Sequence, residues 1–372
     1  MPSILILPSS FLNAHRAEEK QTWILGHHIR ELVERAAASP SWTILQDGLN
    51  TCSEELLVVS EAAAGLDEAM LYRFYSDEQR LLTDYDGMPA AIKVQEKERA
   101  LLCDAFSADF DAFFDAWTDV VTPDEADSVV EELFLDIPVV HSFLTLQLAE
   151  KHLAQQICYD WMEKGVRIDE PTLTRIAPEA VIGKGTWLRG TVRIMGETVI
   201  GERCVITEGS EIIDSTIEEE VTIRSSIIEE SVMKKASNIG PFSHLRPHAF
   251  IGEHVHIGNF VEVKKASLGE GTKAGHLAYI GDAEVGKNVN ISCGVIFCNY
   301  DGKNKHKAIV GDNAFIGSNA NLVAPVELQE DSFIAAGSTI TKAVDKGALA
   351  VERAEQRSIA GYVARRREKG LL

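Results

Sequence analysis

Aliphatic residues recur at every sixth position over two long stretches of the chain. The aliphatic positions are Ile176, Ile182, Leu188, Ile194, Ile200, Ile206 and Ile212, followed later by Val310, Ile316, Leu322, Leu328, Ile334 and Ile340. The next residue is often glycine, as at Gly201, Gly252 and Gly317. A strand repeats every two residues and a helix every 3.6, so neither pattern explains a period of six.

A period of six predicts a parallel β-helix of hexapeptide repeats, in which each repeat supplies a short strand and a turn. The aliphatic side chain points into the coil, where the next coil covers it. A β-sandwich fits less well, because its strands recur at about 8–12 residues. The repeats run from about Leu173 to Val344, with interruptions at Lys264–His276 and Tyr300–Ala308. Interruptions of this kind usually form loops on one face, often the binding face.

The region before the repeats has a mixed pattern. Ser3–Leu7 and Leu56–Ser60 are apolar runs that predict buried strands, whereas Glu18–Ala38 and Asp124–Phe134 have spacing that predicts helices. A stripe of aromatic side chains at helical spacing indicates a further helix packed on a core. The stripe consists of Phe106, Phe110, Phe113, Phe114 and Trp117.

These patterns predict four parts of the chain. Residues 1–140 form a small α/β domain, and residues 141–167 form a connecting helix rich in good helix formers. Residues 168–345 form the β-helix, and residues 346–372 form a partly helical, basic tail.

Composition and charge indicate a soluble protein and argue against some kinds of binding partner. The chain has 372 residues, of which 45% are hydrophobic and 25% charged, as in an ordinary soluble protein. The net charge is −21, and residues 1–140 hold 27 acidic and 9 basic residues, which argues against nucleic-acid or anionic-membrane binding there. No apolar run is long enough to span a bilayer, and the start has no secretory pattern. The six cysteines lack metal-site spacing, so we expect reduced thiols and a cytoplasmic protein.

Polar residues that the repeat does not need gather around the two interruptions. The cations among them are Arg246, Lys264, Lys265, Lys273, Lys303 and Lys305. Arginine and lysine held on rigid coils suit a phosphate or another anion. His276, in the segment KAGHLAY, can accept a proton near neutral pH, and Asn290, Asn299 and Tyr300 add polar tips. These residues alone predict an anion site with a candidate general base.

Several motifs together carry a specific resemblance. The motifs are NIGPFSHLRP, HIGNFVEVKK, LGEGTKAGHLAYIGDAEVGKNVNI, CNYDGKNKHK, VGDNAFIGS, LVAPV, IAAGSTIT and GALAVER, all between Asn238 and Arg353. This stretch resembles the acetyltransferase domain of the bacterial bifunctional glucosamine-1-phosphate acetyltransferase/N-acetylglucosamine-1-phosphate uridylyltransferase family. The resemblance continues more loosely back to the helix at His141.

The resemblance implies a left-handed β-helix that forms a homotrimer with active sites between subunits. It implies transfer of acetyl from acetyl-CoA to the amine of glucosamine 1-phosphate, for UDP-N-acetylglucosamine and cell-wall precursor synthesis, without a metal. By position, His276 matches the general base. The residues matching the sugar-phosphate site are Arg246, Glu262, Lys264, Tyr279, Asn290 and, across the trimer, Lys305. The residues matching the acetyl-CoA site are Cys293, Asn299, Tyr300, Ser318, Ala336 and Arg353.

Two departures from the family pattern leave alternatives open. The family run of the type IGAGTITCNYDG is replaced here by ISCGVIFCNYDG, with Cys293, Val295 and Phe297 among the changed positions. Residues 1–140 lack the family's Gly-rich nucleotide loop, so they resemble a replaced or degenerate nucleotidyltransferase domain. The alternatives are a non-catalytic trimeric scaffold that binds sugar nucleotide or acetyl-CoA, an acetyltransferase for another amino-sugar phosphate, and an enzyme that retains uridylyl transfer.

Overall fold

The computed structural model describes residues 139–371 continuously. Before them it describes residues 3–9, 12, 23–24, 27–38, 43–45, 55–60, 62–63, 66, 70–71, 74–75, 81–84, 88–95, 98, 102, 109–120 and 129–135. The chain divides into two units. The first holds Met1–Val181 and Leu188–Glu197, and the second holds Ile182–Trp187 and Thr198–Leu372.

The first unit contains a six-stranded mixed sheet. Its strand order is Thr43–Leu45, Ser3–Leu7, Glu55–Ser60, Pro89–Gln95, Leu81–Asp84 and Val129–Leu135. Strand Ser3–Leu7 pairs in parallel with both of its neighbours, whereas Pro89–Gln95 pairs antiparallel on both sides. The two predicted strands in this region are therefore confirmed.

Successive residues of the strand Glu55–Ser60 are buried on opposite faces of the sheet. Leu57 and Val59 join one apolar cluster, while Leu56 and Val58 join the other. Burial on both faces explains why this strand is apolar throughout rather than alternating.

The predicted aromatic stripe lies on the helix Phe110–Val120. Phe110, Phe113 and Trp117 are fully buried in the second of those clusters, so the stripe belongs to the core. Asp109 precedes the helix, and its Oδ1 accepts a hydrogen bond from the Ala112 N–H at 3.0 Å. That carboxylate therefore caps a helix. Phe106 lies outside the described residues.

One helix prediction in this unit is wrong, and another is confirmed over part of its length. The strand Val129–Leu135, which overlaps the segment Asp124–Phe134 predicted as a helix, pairs in parallel with Leu81–Asp84. Within Glu18–Ala38, the described residues hold the helix Ile29–Ala37, and Trp23–Ile24 pairs antiparallel with His27–His28 ahead of it. Pairing within the tertiary structure overrides local helical spacing in both places.

The predicted connecting helix is present as Phe143–Glu163. Ser142 caps it by accepting from the Thr145 N–H at 3.2 Å, and Thr145 Oγ1 accepts from the Ser142 N–H at 2.9 Å. Leu146 and Ala149 pack into the first apolar cluster. Burial raises the pKa of the Cys158 thiol on this helix to about 11. The four domain boundaries stay predictions. Among the residues that the structure describes, no helix is both long and apolar enough to cross a membrane.

The coils consist of short strands joined by turns. In the first unit, or at its border, these strands are Arg167–Ile168, Arg175–Ile176, Val181–Ile182, Trp187–Leu188 and Val192–Met195. In the second unit they are Val199–Ile200, Val205–Ile206, Ser210–Ile213, Thr216–Ile217, Thr222–Ile223, Ile227–Glu229, Val232–Met233, Asn238–Ile239, His244–Leu245, Phe250–Ile251, His256–Lys264, Ser267–Leu268, Lys273–Gly281, Ala283–Val285, Asn290–Ile291, Ile296–Cys298, Ala308–Val310, Phe315–Ile316, Asn321–Val323, Val326–Leu328, Phe333–Ile334, Thr339–Ile340 and Leu349–Ala350. A short helix, Tyr362–Glu368, lies in the tail.

Equivalent strands of consecutive coils pair in parallel and in register. One column of inward side chains runs from Ile200 through Ile217 and Met233 to Ile251, and each of these side chains is at most 1% exposed. All thirteen aliphatic positions of the six-residue series are buried. The predicted fold class is confirmed: a left-handed parallel β-helix preceded by a small α/β region and a connecting helix.

Glycines follow the inward aliphatics where coils approach each other closely. A Cβ at Gly183 would lie 2.5 Å from the Glu202 nitrogen, and one at Gly317 would lie 2.6 Å from the Ala336 nitrogen. Real Cβ atoms do not approach backbone atoms so closely, so larger residues would push the coils apart.

Candidate active site

Two long neighbouring strands carry much of the candidate site. His256–Lys264 and Lys273–Gly281 each have nine residues, and they pair in parallel. The register places Asn259 opposite His276 and Glu262 opposite Tyr279. The candidate base and two candidate sugar-phosphate residues therefore lie on adjacent coils.

His276 lies exposed on the second of these strands. Its Nδ1 is 3.3 Å from Oδ1 of Asn259. An amide oxygen only accepts hydrogen bonds, so Nδ1 carries the proton in this arrangement. Nε2 then keeps its lone pair, which is the form that a general base requires.

A second imidazole lies close to the first. Nδ1 of His256 is 2.6 Å from Oδ1 of Asn238. Burial, followed by the charges of Arg224, His276 and Lys273, lowers the pKa of His256. At neutral pH His256 is therefore uncharged and places no extra positive charge beside His276.

Arg246 and Glu262 form an ion pair one coil apart. Nη1 of Arg246 donates to Oε1 of Glu262 at 2.8 Å, and both side chains are about two-fifths exposed. That hydrogen bond raises the pKa of Arg246. The guanidinium has five N–H donors, so this bond leaves others available for a ligand.

Lys264 lies among other cations. The Lys305 ammonium, then Arg246 and Lys265, lower the pKa of Lys264. The Lys305 that lowers the pKa of Lys264 belongs to the same chain, 41 residues further along the sequence (305 − 264), and a contribution of Lys305 across a trimer stays a prediction. Clustered cations repel one another, and an anion bound between them relieves that repulsion. We call Arg246, Lys264 and Lys305 the cation cluster.

The loop of residues 301–305, which ends at Lys305, is a tight turn. Tyr300 and Lys305 form an isolated antiparallel bridge, and the Tyr300 hydroxyl donates to the Gly302 carbonyl at 2.6 Å. Asp301 accepts from the Lys303 N–H at 2.8 Å and the Asn304 N–H at 2.6 Å. These bonds close the loop that directly follows Asn299 and Tyr300, two of the predicted acetyl-CoA residues.

Asn299 is buried, and its side-chain amide forms a hydrogen bond with Tyr279. Its Nδ2 donates to Oδ2 of Asp282 at 2.5 Å and to the Tyr279 hydroxyl at 3.3 Å. The structure therefore joins a predicted acetyl-CoA residue to a predicted sugar-phosphate residue. Asn290 lies on another strand, where its amide donates to Oγ of Ser292 at 2.9 Å.

The residues that depart from the family pattern divide into two kinds. Val295 and Phe297 are fully buried inside the coil. Cys293 is exposed at a corner, and its carbonyl accepts from the Asn319 N–H at 2.8 Å. Val295 and Phe297 therefore change the packing of the interior, whereas Cys293 presents its side chain to solvent.

Three further predicted acetyl-CoA residues lie on successive coils. The Ser318 carbonyl accepts from the Gly337 N–H at 2.8 Å, and Nη1 of Arg353 donates to the Ala336 carbonyl at 2.9 Å. Ser318 is half-buried, while Ala336 and Arg353 are exposed. The structure brings these three residues together on one side of the last coils.

Comparison with known proteins matches two parts of the β-helix. The family profile described as GMPPB C-terminal domain matches residues 174–266, and the bacterial transferase hexapeptide profile (six repeats) matches residues 307–342. The curated "Bifunctional protein GlmU" of Thermodesulfovibrio yellowstonii is 49% identical over 225 residues, covering 60% of this chain and 50% of that protein. The GlmU of Listeria innocua is 48% identical over 242 residues, covering 64% and 53%.

Over its C-terminal part, the chain is homologous to the bifunctional GlmU proteins. The resemblance predicted from the motifs is thus confirmed. The chain spans about half the length of the curated relatives it matches. Among solved structures, the UDP-N-acetylglucosamine acyltransferase of Francisella novicida aligns at 18% identity over 50% of this chain and 64% of that chain, with a TM-score of 0.27.

Sequence reasoning missed the residues that hold the site residues in place. Asn259 contacts His276, Asp282 contacts Asn299, and Asp301 closes the loop that carries Lys305. The one available signal for Asn259 is its position 17 residues before His276, which is one coil. A coil length inferred from the repeat could have paired these two residues.

Proposed function

We propose that the β-helix of this chain transfers acetyl from acetyl-CoA to the amine of an amino-sugar phosphate, with glucosamine 1-phosphate as the acceptor. The observation that supports this most is that one pair of adjacent strands carries both the candidate base and a member of the cation cluster. His276 and Tyr279 lie on one strand, and Glu262 and Lys264 lie on the strand beside it. Sequence identity near one half to GlmU proteins over this region gives independent support.

His276 is the proposed general base. The amine of the acceptor attacks the thioester carbonyl, the C–N bond forms, and the C–S bond then breaks to release the thiolate of CoA. The nitrogen must lose a proton in this step, and the Nε2 lone pair of His276 accepts it. The bond between Nδ1 and Asn259 holds the imidazole in the required tautomer.

The cation cluster is the proposed site for the acceptor's phosphate. A phosphate monoester carries nearly two negative charges at neutral pH, and charge-assisted hydrogen bonds to it are stronger than neutral ones. Arg246 keeps donors free after pairing with Glu262, and Lys264 and Lys305 supply two ammonium groups. Glu262, Tyr279 and Asn290 complete the proposed sugar site.

The last coils are the proposed site for acetyl-CoA. Cys293 and Tyr300 come just before the loop of residues 301–305, and the coils after the loop carry Ser318, Ala336 and Arg353. Asn299 is included in the proposal as a residue that links the two substrate sites through Tyr279. The reaction as written needs no metal. We further propose a cytoplasmic homotrimer in which neighbouring chains complete each site.

A thiol-release assay tests the proposal. Purified protein is supplied with acetyl-CoA and glucosamine 1-phosphate, and free CoA thiol is followed with a chromogenic disulfide. Glucosamine 6-phosphate and galactosamine 1-phosphate serve as alternative acceptors. Release that depends on glucosamine 1-phosphate supports the proposal. Release with another acceptor alone would change the proposed substrate, and no release with any acceptor would exclude acetyl transfer to amino-sugar phosphates.

A further inference from the structure

The loop that carries Lys305 makes few contacts with the rest of the chain. Residues 301–305 are all exposed, and the loop interrupts the six-residue repeat. Two backbone hydrogen bonds close its base, from the His306 N–H to the Asn299 carbonyl at 2.7 Å and from the Asp301 N–H to the Asn304 carbonyl at 3.1 Å. An exposed loop with so little packing needs another source of order.

The Asp301 carboxylate supplies that order through three hydrogen bonds. Its Oδ1 accepts from the Lys303 N–H at 2.8 Å and the Asn304 N–H at 2.6 Å, and its Oδ2 is 2.7 Å from Nε2 of His306. A carboxylate with several donors is held in its charged form, and these bonds hold the pKa of Asp301 well below its usual range. One side chain therefore joins the beginning, middle and end of the loop.

The geometry of the loop matters because Lys305 must approach other cations. Lys264, Arg246 and Lys265 are positively charged, so repulsion opposes placing the Lys305 ammonium beside Lys264. A loose loop would let the Lys305 ammonium move away from Lys264. The hydrogen bonds of Asp301 oppose that movement before any ligand binds.

We infer that Asp301 is a positioning residue, which folds the loop so that Lys305 completes the cation cluster. It acts on the ligand through Lys305 rather than by contact, since a carboxylate would repel a phosphate. The inference rests on the proposed function only for the identity of the anion. The order of the loop and its effect on phosphate binding are independent of the reaction catalysed.

Hydrogen exchange tests the loop directly. In Asp301→Ala the amides of Lys303 and Asn304 lose their acceptor, so their exchange should accelerate by about tenfold or more. Asp301→Asn keeps an amide oxygen for the same two N–H groups and should restore much of the protection. The matched control is Asp312→Ala. Asp312 is also an exposed aspartate that accepts one backbone N–H, from Lys287 at 2.7 Å, but it lies outside the candidate site.

Kinetics test the connection to Lys305. A lost charge-assisted contact to the phosphate should raise the KM for glucosamine 1-phosphate about tenfold, with kcat nearly unchanged. Lys305→Gln should show the same change. If Asp301 acts through Lys305, the double variant Asp301→Ala/Lys305→Gln should match Lys305→Gln within about twofold. Multiplied effects in the double variant would contradict the inference, as would a normal KM in Asp301→Ala.

Calorimetry with inorganic phosphate separates this inference from the proposed function. If the wild-type protein does not acetylate glucosamine 1-phosphate, the proposed function fails. The inference still predicts that wild-type protein binds phosphate and that Asp301→Ala binds it about tenfold more weakly. Equal phosphate affinity in the two proteins, or no phosphate binding by the wild type, would overturn it.

Discussion

Replacing His276 by alanine should remove most of the turnover without harming the fold. The side chain is exposed, and its one side-chain partner, Asn259, is half-buried. Removing an exposed side chain of this kind changes the free energy of unfolding by about 0.5 kcal/mol or less. A lost general base lowers the rate by about 10²–10⁴-fold, which corresponds to about 3–5 kcal/mol in the activation free energy.

The assay is thiol release with acetyl-CoA and glucosamine 1-phosphate, combined with a melting curve and a separate measurement of acetyl-CoA binding. The matched control is His254→Asn, because His254 is also exposed on the β-helix and has a left-handed φ of 56°, which asparagine tolerates. We expect the control to keep full turnover. If His276→Ala keeps near-normal turnover, His276 is not the base. A large drop in its melting temperature would show that the side chain matters for the fold instead.

The other predictions concern packing, pH, assembly and the N-terminal unit. Gly258→Ala should destabilise the β-helix by about 3 kcal/mol, because the new Cβ would lie 2.8 Å from Gly275 Cα and closer still to its carbonyl group. Gly275→Ala, where a Cβ meets nothing within 4 Å, should leave the melting temperature unchanged, and equal shifts in both variants would refute the packing argument. Because the folded-state pKa of Asp301 is depressed, its contribution is present above the unfolded pKa of about 3.9 and is lost as pH falls further. Protection of the Lys303 and Asn304 amides should therefore be equal at pH 7 and pH 5 and decrease well below pH 4, and a decrease already at pH 5 would contradict this. Sedimentation should show a homotrimer, and an active monomer would disprove that assembly. With UTP, Mg²⁺ and N-acetylglucosamine 1-phosphate the protein should form no UDP-N-acetylglucosamine above background, since residues 1–140 are strongly acidic and lack a Gly-rich phosphate loop; enzyme-dependent product would show that this prediction is wrong.

The β-helix could be predicted from the sequence because its rule is local and repeated. Each coil needs an aliphatic side chain inside and often a small residue after it. The pair Ile200 and Gly201 is one example of this pattern, which repeats along the chain. One repeat is weak evidence, but a series without exception is strong. The motifs between Asn238 and Arg353 carry the resemblance to GlmU proteins, so the sequence also points to His276 as the candidate base.

The N-terminal unit shows where that reasoning stops. Val129–Leu135 has apolar spacing that a helix could bury, yet it forms a strand beside Leu81–Asp84. Local spacing cannot reveal a neighbouring strand that lies more than 40 residues away in sequence (129 − 84 = 45). Pairing of that kind is decided when the sheet forms, because hydrogen bonds to a neighbour outweigh a weak helical preference.

The candidate site also has one part that the sequence predicts and another that only the tertiary structure shows. Its residue types, a histidine, several cations and polar tips, are visible in the sequence around two interruptions of the repeat. Their partners are not, since Asn259 meets His276 one coil away and Lys305 meets Lys264 across a loop. Stacking of the coils decides which side chains become neighbours, because parallel register fixes the residue opposite each position. The sequence therefore determined the coil and its chemistry, and the tertiary structure decided which groups support the base and hold the cations together.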